Sequence, residues 1–298
     1  MPDDAHPDLL ELAKKIAVEA GEAVLEVYDK GEFDAYQKDD ESPVTSADYL
    51  ANDIINKRLK EATPDIPILS EENKHASLAE RKHWPRYWLI DPIDGTQEFI
   101  ARSGDFAVNI ALIENNQPAI GVIFWPPGQS LYYAQKGKGA FKSSPDGDHP
   151  IKVRKLDDPK KSVVMIAISR RQSREKVLSR MCARRVYQTL PLGSCSLKAC
   201  FIAEGNGEVL MQLIDGNKPT GLHQRMHFYK HRFDVFNVVH GHGGDNAIEF
   251  AIQIRGAQIH FKHFNFTGQA IFFVAQLLIH RLGNIHCRDL RDMRCNLP

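Results

Sequence analysis

"YWLIDPIDGTQEFI", residues 87–100, sets two carboxylates, Asp91 and Asp94, around Pro92-Ile93 at the end of an apolar run and follows them with Gly95-Thr96. The bulky run over residues 87–90 predicts a short strand that delivers Asp91 at its end. Pro92 restricts the backbone between the two acids, so both can face one side while the Ile93 carbonyl turns inward as a further oxygen. Gly95 and Thr96 then open a helix through Gln97 and Glu98, with N–H groups that would face an anion. Two readings stand at this point: a solvated acidic turn, or a cradle for a hard divalent cation.

Working upstream, "IPILSEE" reads as a second short strand, delivering Glu71 and Glu72. "QKDDESPVTSAD" is a loop or short hairpin. Thr45 or Ser46 caps a helix that carries Leu50, Ile54, Ile55 and Leu59 and ends before Pro64. Asp48, beside that helix start, comes near enough in principle to bond the Thr96 hydroxyl, a way to orient and activate a water. Leu9, Leu12, Ala13, Ile16, Ala17, Ala20, Ala23, Val24 and Val27 recur at helical steps.

Downstream, "AVNIALIENNQPAIGVIFWP" predicts a hairpin around Glu114-Asn115-Asn116-Gln117, and "SLYYAQKGKGAF" continues the meander with a turn at Gly137 and Gly139. After "DDPKK" come a buried strand over residues 163–168, a helix over 173–184, and a helix over 196–203 halted at Gly205. A helix pair with an antiparallel sheet is thus followed by alternating strands and helices, and the break falls near residues 155–161.

Lys plus Arg and Asp plus Glu balance at 38 each in 298 residues, so no global field recruits nucleic acid or an anionic membrane. No apolar run approaches the roughly 20 residues that span a bilayer, and "MPDDAHPDLL" lacks the apolar centre of a secretory signal. The five cysteines, Cys182, Cys195, Cys200, Cys287 and Cys295, form no CxxC pair and read as reduced thiols, with Cys195 and Cys200 as small core residues. The expected location is the cytoplasm, with peripheral association at the inner membrane left open.

Together and in order, "SPVTSAD", "ILSEE", "WLIDPIDGTQEFI" and "LGSCSLKACFIAEG" resemble the inositol monophosphatase superfamily of Mg2+-dependent, lithium-sensitive phosphatases. The Glu-Phe-Ile after the DGT and the Ser-Leu-Lys of "CSLKAC" are similar to its 3'(2'),5'-bisphosphate nucleotidase branch, and the likeness runs from about residue 8 to about residue 207. The resemblance implies an α+β or α/β fold, a layered αβαβα sandwich of the sugar-phosphatase type with its C-terminal half incomplete or divergent; the domains are expected at 1–158, with the metal site, and 159–298, family-like only to about 207. It implies Glu71, Asp91, the Ile93 carbonyl and Asp94 as metal ligands, with about two or three Mg2+ ions, and Asp48 with Thr96 as the water-activating pair. Substrate would meet Glu71, Ile93, Asp94, Gly95 and Thr96, and also Ser194 and Lys198, where the lysine faces a second phosphate. For Lys198 a helix residue with its amine in water stands as the alternative. Ser169 and Arg170 hold a similar position with less support, and Glu72 is given no role. The implied substrate is a phosphorylated nucleotide, 3'-phosphoadenosine 5'-phosphate, cleaved to AMP and phosphate in the service of sulfate assimilation. An inositol or sugar monophosphatase and an inactive relative are the rival readings.

The likeness fails after "AEG". The family goes on to a Trp-Asp pair whose Asp is a further metal ligand, but Trp84, Trp88 and Trp125 all come earlier in this chain. Asp215 comes too early and Asp234 too late to match it easily. Residues 212–298 also hold 10 basic and 6 acidic side chains, 9 of the 13 histidines and 9 of the 15 phenylalanines. Such a shift is expected of a frameshift or rearranged gene end near residue 208, or of a divergent second half. Within that segment "AIQIRGAQIHF" alternates like a strand pair and "GQAIFFVAQLLIHRL" reads as a helix. The HxH of "VHGHGG" is placed in a glycine-rich loop and not read as a metal site.

Overall fold

Helical spacing gives α1 (Leu9–Lys30) one buried stripe, Ala13, Ile16, Ala17, Ala20, Gly21 and Val24. Asp8 accepts the N–H groups of Leu10 and Glu11 at its start, and Gly31, at φ 70, closes it. The structure is a computed structural model that describes residues 8–38, 42–73, 76–154, 163–170, 186–213, 236–242, 247–254 and 257–261. The predicted polar loop carries a hairpin, β1 (Ala35–Gln37) antiparallel to β2 (Pro43–Thr45), and Thr45 is the N-cap of α2 (Ser46–Ala62).

β3 (Ile68–Ser70) runs parallel to β4 (Arg86–Asp94), with α3 (Leu78–Arg81) between them in the chain. From β4 the sheet is an antiparallel meander: after α4 (Thr96–Ile100) come β5 (Ala107–Glu114), β6 (Gln117–Trp125), β7 (Ser130–Gln135), β8 (Gly139–Ser144) and β9 (Gly147–Pro150). The β5–β6 turn is the predicted one, with Asn115 at φ 50 and Asn116 at φ 59, the left-handed pair that a two-residue hairpin demands. β4 is longer than predicted. It runs on through Asp94, but its ladder to β5 shifts register between Asp91 and Asp94, where Pro92 has no N–H to offer.

Alternation along the strands sorts the side chains into two cores. Trp88, Ile90, Val108, Ile110, Leu112, Val122 and Phe124 pack under α1 and α2. Leu89, Ala111, Ile113, Ile123 and Tyr132 face the other way, onto Leu197, Cys200 and Ile202 of α5 (Cys195–Ala203). Ala167 and Leu210, from a second sheet, close the far side of that core. The second sheet has the order β11 (Tyr187–Pro191), β10 (Val164–Ile168), β12 (Val209–Leu213), β13 (Phe236–His242), β14 (Ala247–Ile254), β15 (Ala257–Phe261). β10 is parallel to both β11 and β12, and β12 to β15 are antiparallel in turn.

Among the described residues, helices, sheet, helix and sheet thus follow one another as layers of the expected sandwich. The predicted strand pair of the tail is β14 and β15. The HxH pair is a correction: His240 and His242 lie in strand β13 and not in a loop, because Phe236–His242 pairs along its length with β14. The predicted helices over 173–184 and 268–282, the break at 155–161, Asp215 and Asp234 lie outside the described residues. No described helix is long and apolar enough to cross a membrane.

Candidate active site

Asp48 sits in the first turn of α2 and is 1% exposed. Its Oδ2 accepts the Thr45 N–H at 2.7 Å and the Thr45 hydroxyl at 2.6 Å. Its Oδ1 is 3.1 Å from the Thr96 hydroxyl, which also lies 3.2 Å from the Ile93 carbonyl oxygen. Thr96 has one proton to give. Donated to Asp48, it leaves the Ile93 carbonyl free to take another partner. Burial pushes the Asp48 carboxyl above its usual value, against the pull of the Thr45 and Thr96 hydrogen bonds and of Lys38. Gly95 makes the corner. At φ +100 it is left-handed, and a Cβ there would stand 2.7 Å from the Asp105 carbonyl oxygen, so a side chain would displace Thr96 with it.

Glu71 follows β3, and its N–H donates to the Ile90 carbonyl at 3.1 Å, which fixes it beside β4. A buried amide network sets the segment: the Ser70 hydroxyl and the Asn56 amide donate to Asn52 Oδ1 at 2.6 and 2.8 Å. Asn52 and Asn56 also bond Asn73, each at 2.9 Å. Lys38, just beyond β1, reaches across 33 residues of chain to place its ammonium 3.3 Å from Glu71 and 2.6 Å from Glu72. Burial alone would lower the Lys38 ammonium, yet the two carboxylates facing it raise it overall. Burial raises the Glu72 carboxyl in spite of Lys38. One ammonium between two carboxylates favours the charged pair, so Glu72 holds Lys38 at the edge of the site.

Asp91 is 2% exposed and stands opposite Asn109 in the β4–β5 ladder. Asp94 is held from the other side of the molecule. Its Oδ2 takes hydrogen bonds from the Ser194 hydroxyl at 2.5 Å, the Ser196 N–H at 2.8 Å and the Ser196 hydroxyl. Ser194, the N-cap of α5, therefore touches a predicted metal ligand. Lys198 does not lie with its amine in water, for at 2% exposed it is among the largest fully buried side chains. Arg170 is paired with Asp105 at 2.5 Å, and Asp105 also accepts the Gly193 N–H at 2.8 Å. Ser169 is half-buried beside it. Cys200 lies in the core, with Cys195 packed against it.

The structure thus joins Asp48, Ile93 and Thr96 directly, sets Glu71 against Ile90, and joins Asp94 to Ser194. Glu71, Asp91, Asp94 and the Ile93 carbonyl are all hard oxygen donors, a set that suits Mg2+. The ammonium beside Glu71 shows that a cation is accommodated there. Among the described residues no three acidic, His or Cys side chains close on one ion position; Glu71 pairs with Lys38, and Asp94 Oδ2 with the start of α5. The donor chemistry fits a divalent cation. Sequence reasoning missed Lys38, Asp105, Asn109 and Ser196. Ser196 lies inside the "CSLKAC" stretch, and a hydroxyl at a helix start was the signal available for it.

Comparison with known proteins bears on the family of the chain. The Inositol monophosphatase family matches residues 7–218. A 3'(2'),5'-bisphosphate nucleotidase, CysQ of Salmonella typhimurium, is 42% identical over 202 residues, which cover 67% of this chain and 79% of that one. The Escherichia coli K12 CysQ is 40% identical over 202 residues, with the same coverage of 67% and 79%. The crystal structure of CysQ from Bacteroides thetaiotaomicron superposes with a TM-score of 0.59 at 27% identity, over 78% of this chain and 93% of that one. An IMPase from Thermotoga maritima gives 0.58 at 26% identity, over 69% and 76%. With motif order, fold and match in agreement over two-thirds of its length, the chain belongs to the inositol monophosphatase family.

Proposed function

We propose that the chain is a Mg2+-dependent 3'(2'),5'-bisphosphate nucleotidase that converts 3'-phosphoadenosine 5'-phosphate to AMP and phosphate. The observation that carries this reading is the Thr96–Asp48 hydrogen bond. It joins the starts of α4 and α2 across 48 residues of sequence, at the end of the strand that carries three of the four oxygen donors. Relatives named as this nucleotidase, at 40 to 42% identity, support the substrate.

In this reading Glu71, Asp91, Asp94 and the Ile93 carbonyl hold about two or three Mg2+ ions, which supply charge against the phosphoryl oxygens and lower the pKa of water. Asp48 draws the Thr96 proton, so the Thr96 oxygen can accept from the attacking water. As the water oxygen bonds to phosphorus its proton passes toward that pair, the ester P–O bond breaks, and the leaving oxygen takes a proton from solvent. The N–H groups of Gly95 and Thr96 face the phosphate. Lys198 offers its charge to the second phosphate, and Ser194 acts through Asp94. Sulfate assimilation, inhibition by lithium, a cytoplasmic location and domains at 1–158 and 159–298 belong to the same proposal.

A non-catalytic relative is the second reading, favoured by one observation: no Trp-Asp follows Trp125. Phosphate release from 3'-phosphoadenosine 5'-phosphate, with Mg2+ and with or without Li+, decides between them. Release that needs Mg2+ and falls with Li+ is expected, faster than from inositol or sugar monophosphates. A folded chain that releases nothing is the non-catalytic relative, and a preference for the inositol ester removes the nucleotide assignment.

A further inference from the structure

Three donors from the start of α5 converge on a single oxygen, Oδ2 of Asp94: the Ser194 hydroxyl at 2.5 Å, the Ser196 N–H at 2.8 Å and the Ser196 hydroxyl. Ser194 Oγ also accepts the Leu197 N–H at 3.1 Å, which caps α5. The Ser196 hydroxyl is not needed for that cap. Its bonds go to Asp94, to Ser194 at 3.1 Å, and to Asn109, whose Nδ2 donates to it at 3.2 Å. With Asn109 donating from behind, the Ser196 proton is aimed at Asp94. Asn109 is itself 2% exposed, and its other amide atom, Oδ1, has no hydrogen-bond partner among the described residues. Ser194 and Ser196 are both fully buried. A carboxylate oxygen has two lone pairs, so one that faces three donors has none to spare for an ion.

We infer that Ser196, backed by Asn109, is a positioning residue that holds Asp94 so that Oδ1 alone is left for a divalent cation. This rests on the metal-dependent reading above. It also means that α5, packed on the second sheet, sets the aim of a ligand carried by the first. The hydroxyl acts through Asp94, not through the helix it sits on.

The test is Mn2+ binding to the folded full chain, followed by electron paramagnetic resonance. Loss of a partner behind a metal ligand costs about 10- to 100-fold in metal affinity. Ser196→Ala is expected to weaken Mn2+ binding about 10-fold or more, while Ser196→Thr, which keeps the hydroxyl, stays within about threefold of the parent. Asn109→Ala is expected to weaken it in the same direction by less, and it carries the test if Ser196→Ala does not fold by circular dichroism. In turnover, the Ser196→Ala deficit is recovered by added Mg2+, with KM for the nucleotide unchanged at saturating metal. Parent-like Mn2+ affinity in folded Ser196→Ala overturns the positioning role alone. A parent chain that takes up no Mn2+ overturns it together with the metal-dependent reading.

Discussion

Asp48 serves two partners with its two oxygens. Oδ2 ties the Thr45 backbone and hydroxyl at the start of α2, and Oδ1 faces the Thr96 hydroxyl. Burial raises its carboxyl, so the folded pKa lies above the unfolded one. The ionised group therefore costs stability. That cost is absent below the unfolded value and appears as pH rises through the folded one. Asp48→Asn removes the charge and keeps an oxygen for the Thr45 N–H. We expect kcat to fall about 100- to 10,000-fold, the range for a lost general base. The thermal midpoint at neutral pH should hold or rise, and any gain should vanish below about pH 4, where the parent carboxyl is itself protonated. Melting curves at the two pH values check this. A midpoint that drops equally at both would show that the tie to Thr45 outweighs the buried charge.

At the scale of elements, α1 crosses β6 at its one mid-helix glycine. A Cβ on Gly21 would meet Phe124 Cδ1 at 2.3 Å, Phe124 Cε1 at 2.7 Å and Pro126 Cγ at 3.1 Å. Alanine gains up to about 1 kcal/mol of helix propensity over glycine, but overpacking a tight core costs about 1–3 kcal/mol. The clash should win. Gly21→Ala is expected to lower stability by up to about 2 kcal/mol in urea unfolding, with turnover per folded molecule unchanged; a more stable variant would mean that the ring moves aside freely. The same elements show what the sequence could disclose. Period and turn chemistry marked α1, α2, the β5–β6 hairpin, the strand that leads to Glu71 and the strand that carries Asp91, because those signals are local. The partners of the site are not local. Lys38 meets Glu71 across 33 residues, Arg170 meets Asp105 across 65 and Ser196 meets Asp94 across 102. No spacing rule reaches that far, so Ser194 was legible as part of a motif but not as a support for Asp94.

For the whole molecule, the site depends on two sheets meeting at α5. Asp105, just before β5, binds both Arg170 and the Gly193 N–H, and Asp94, at the end of β4, binds Ser194 and Ser196, so two carboxylates beside the first sheet hold α5 and the segment that follows β10. A cation held by Glu71, Asp91 and Asp94 would act on the same joint. A ligand that binds only the folded state stabilises it by about 2.7 kcal/mol at 100 times its Kd. In a chain of this size each kcal/mol moves the thermal midpoint by about 2–4 °C. Mg2+ is therefore expected to raise the midpoint by about 5–10 °C, EDTA to reverse the rise, and Na+ at matched ionic strength to leave it unmoved. Screening of surface charge would respond to both salts alike, so the difference between Mg2+ and Na+ isolates the site. Binding to the unfolded chain can only erode the shift, and its carboxylates, without β3, β4 and α5 to gather them, compete poorly. A midpoint indifferent to Mg2+ would thus remove the cation from this joint and leave it to the hydrogen bonds, the Arg170–Asp105 pair and the packed core between the sheets.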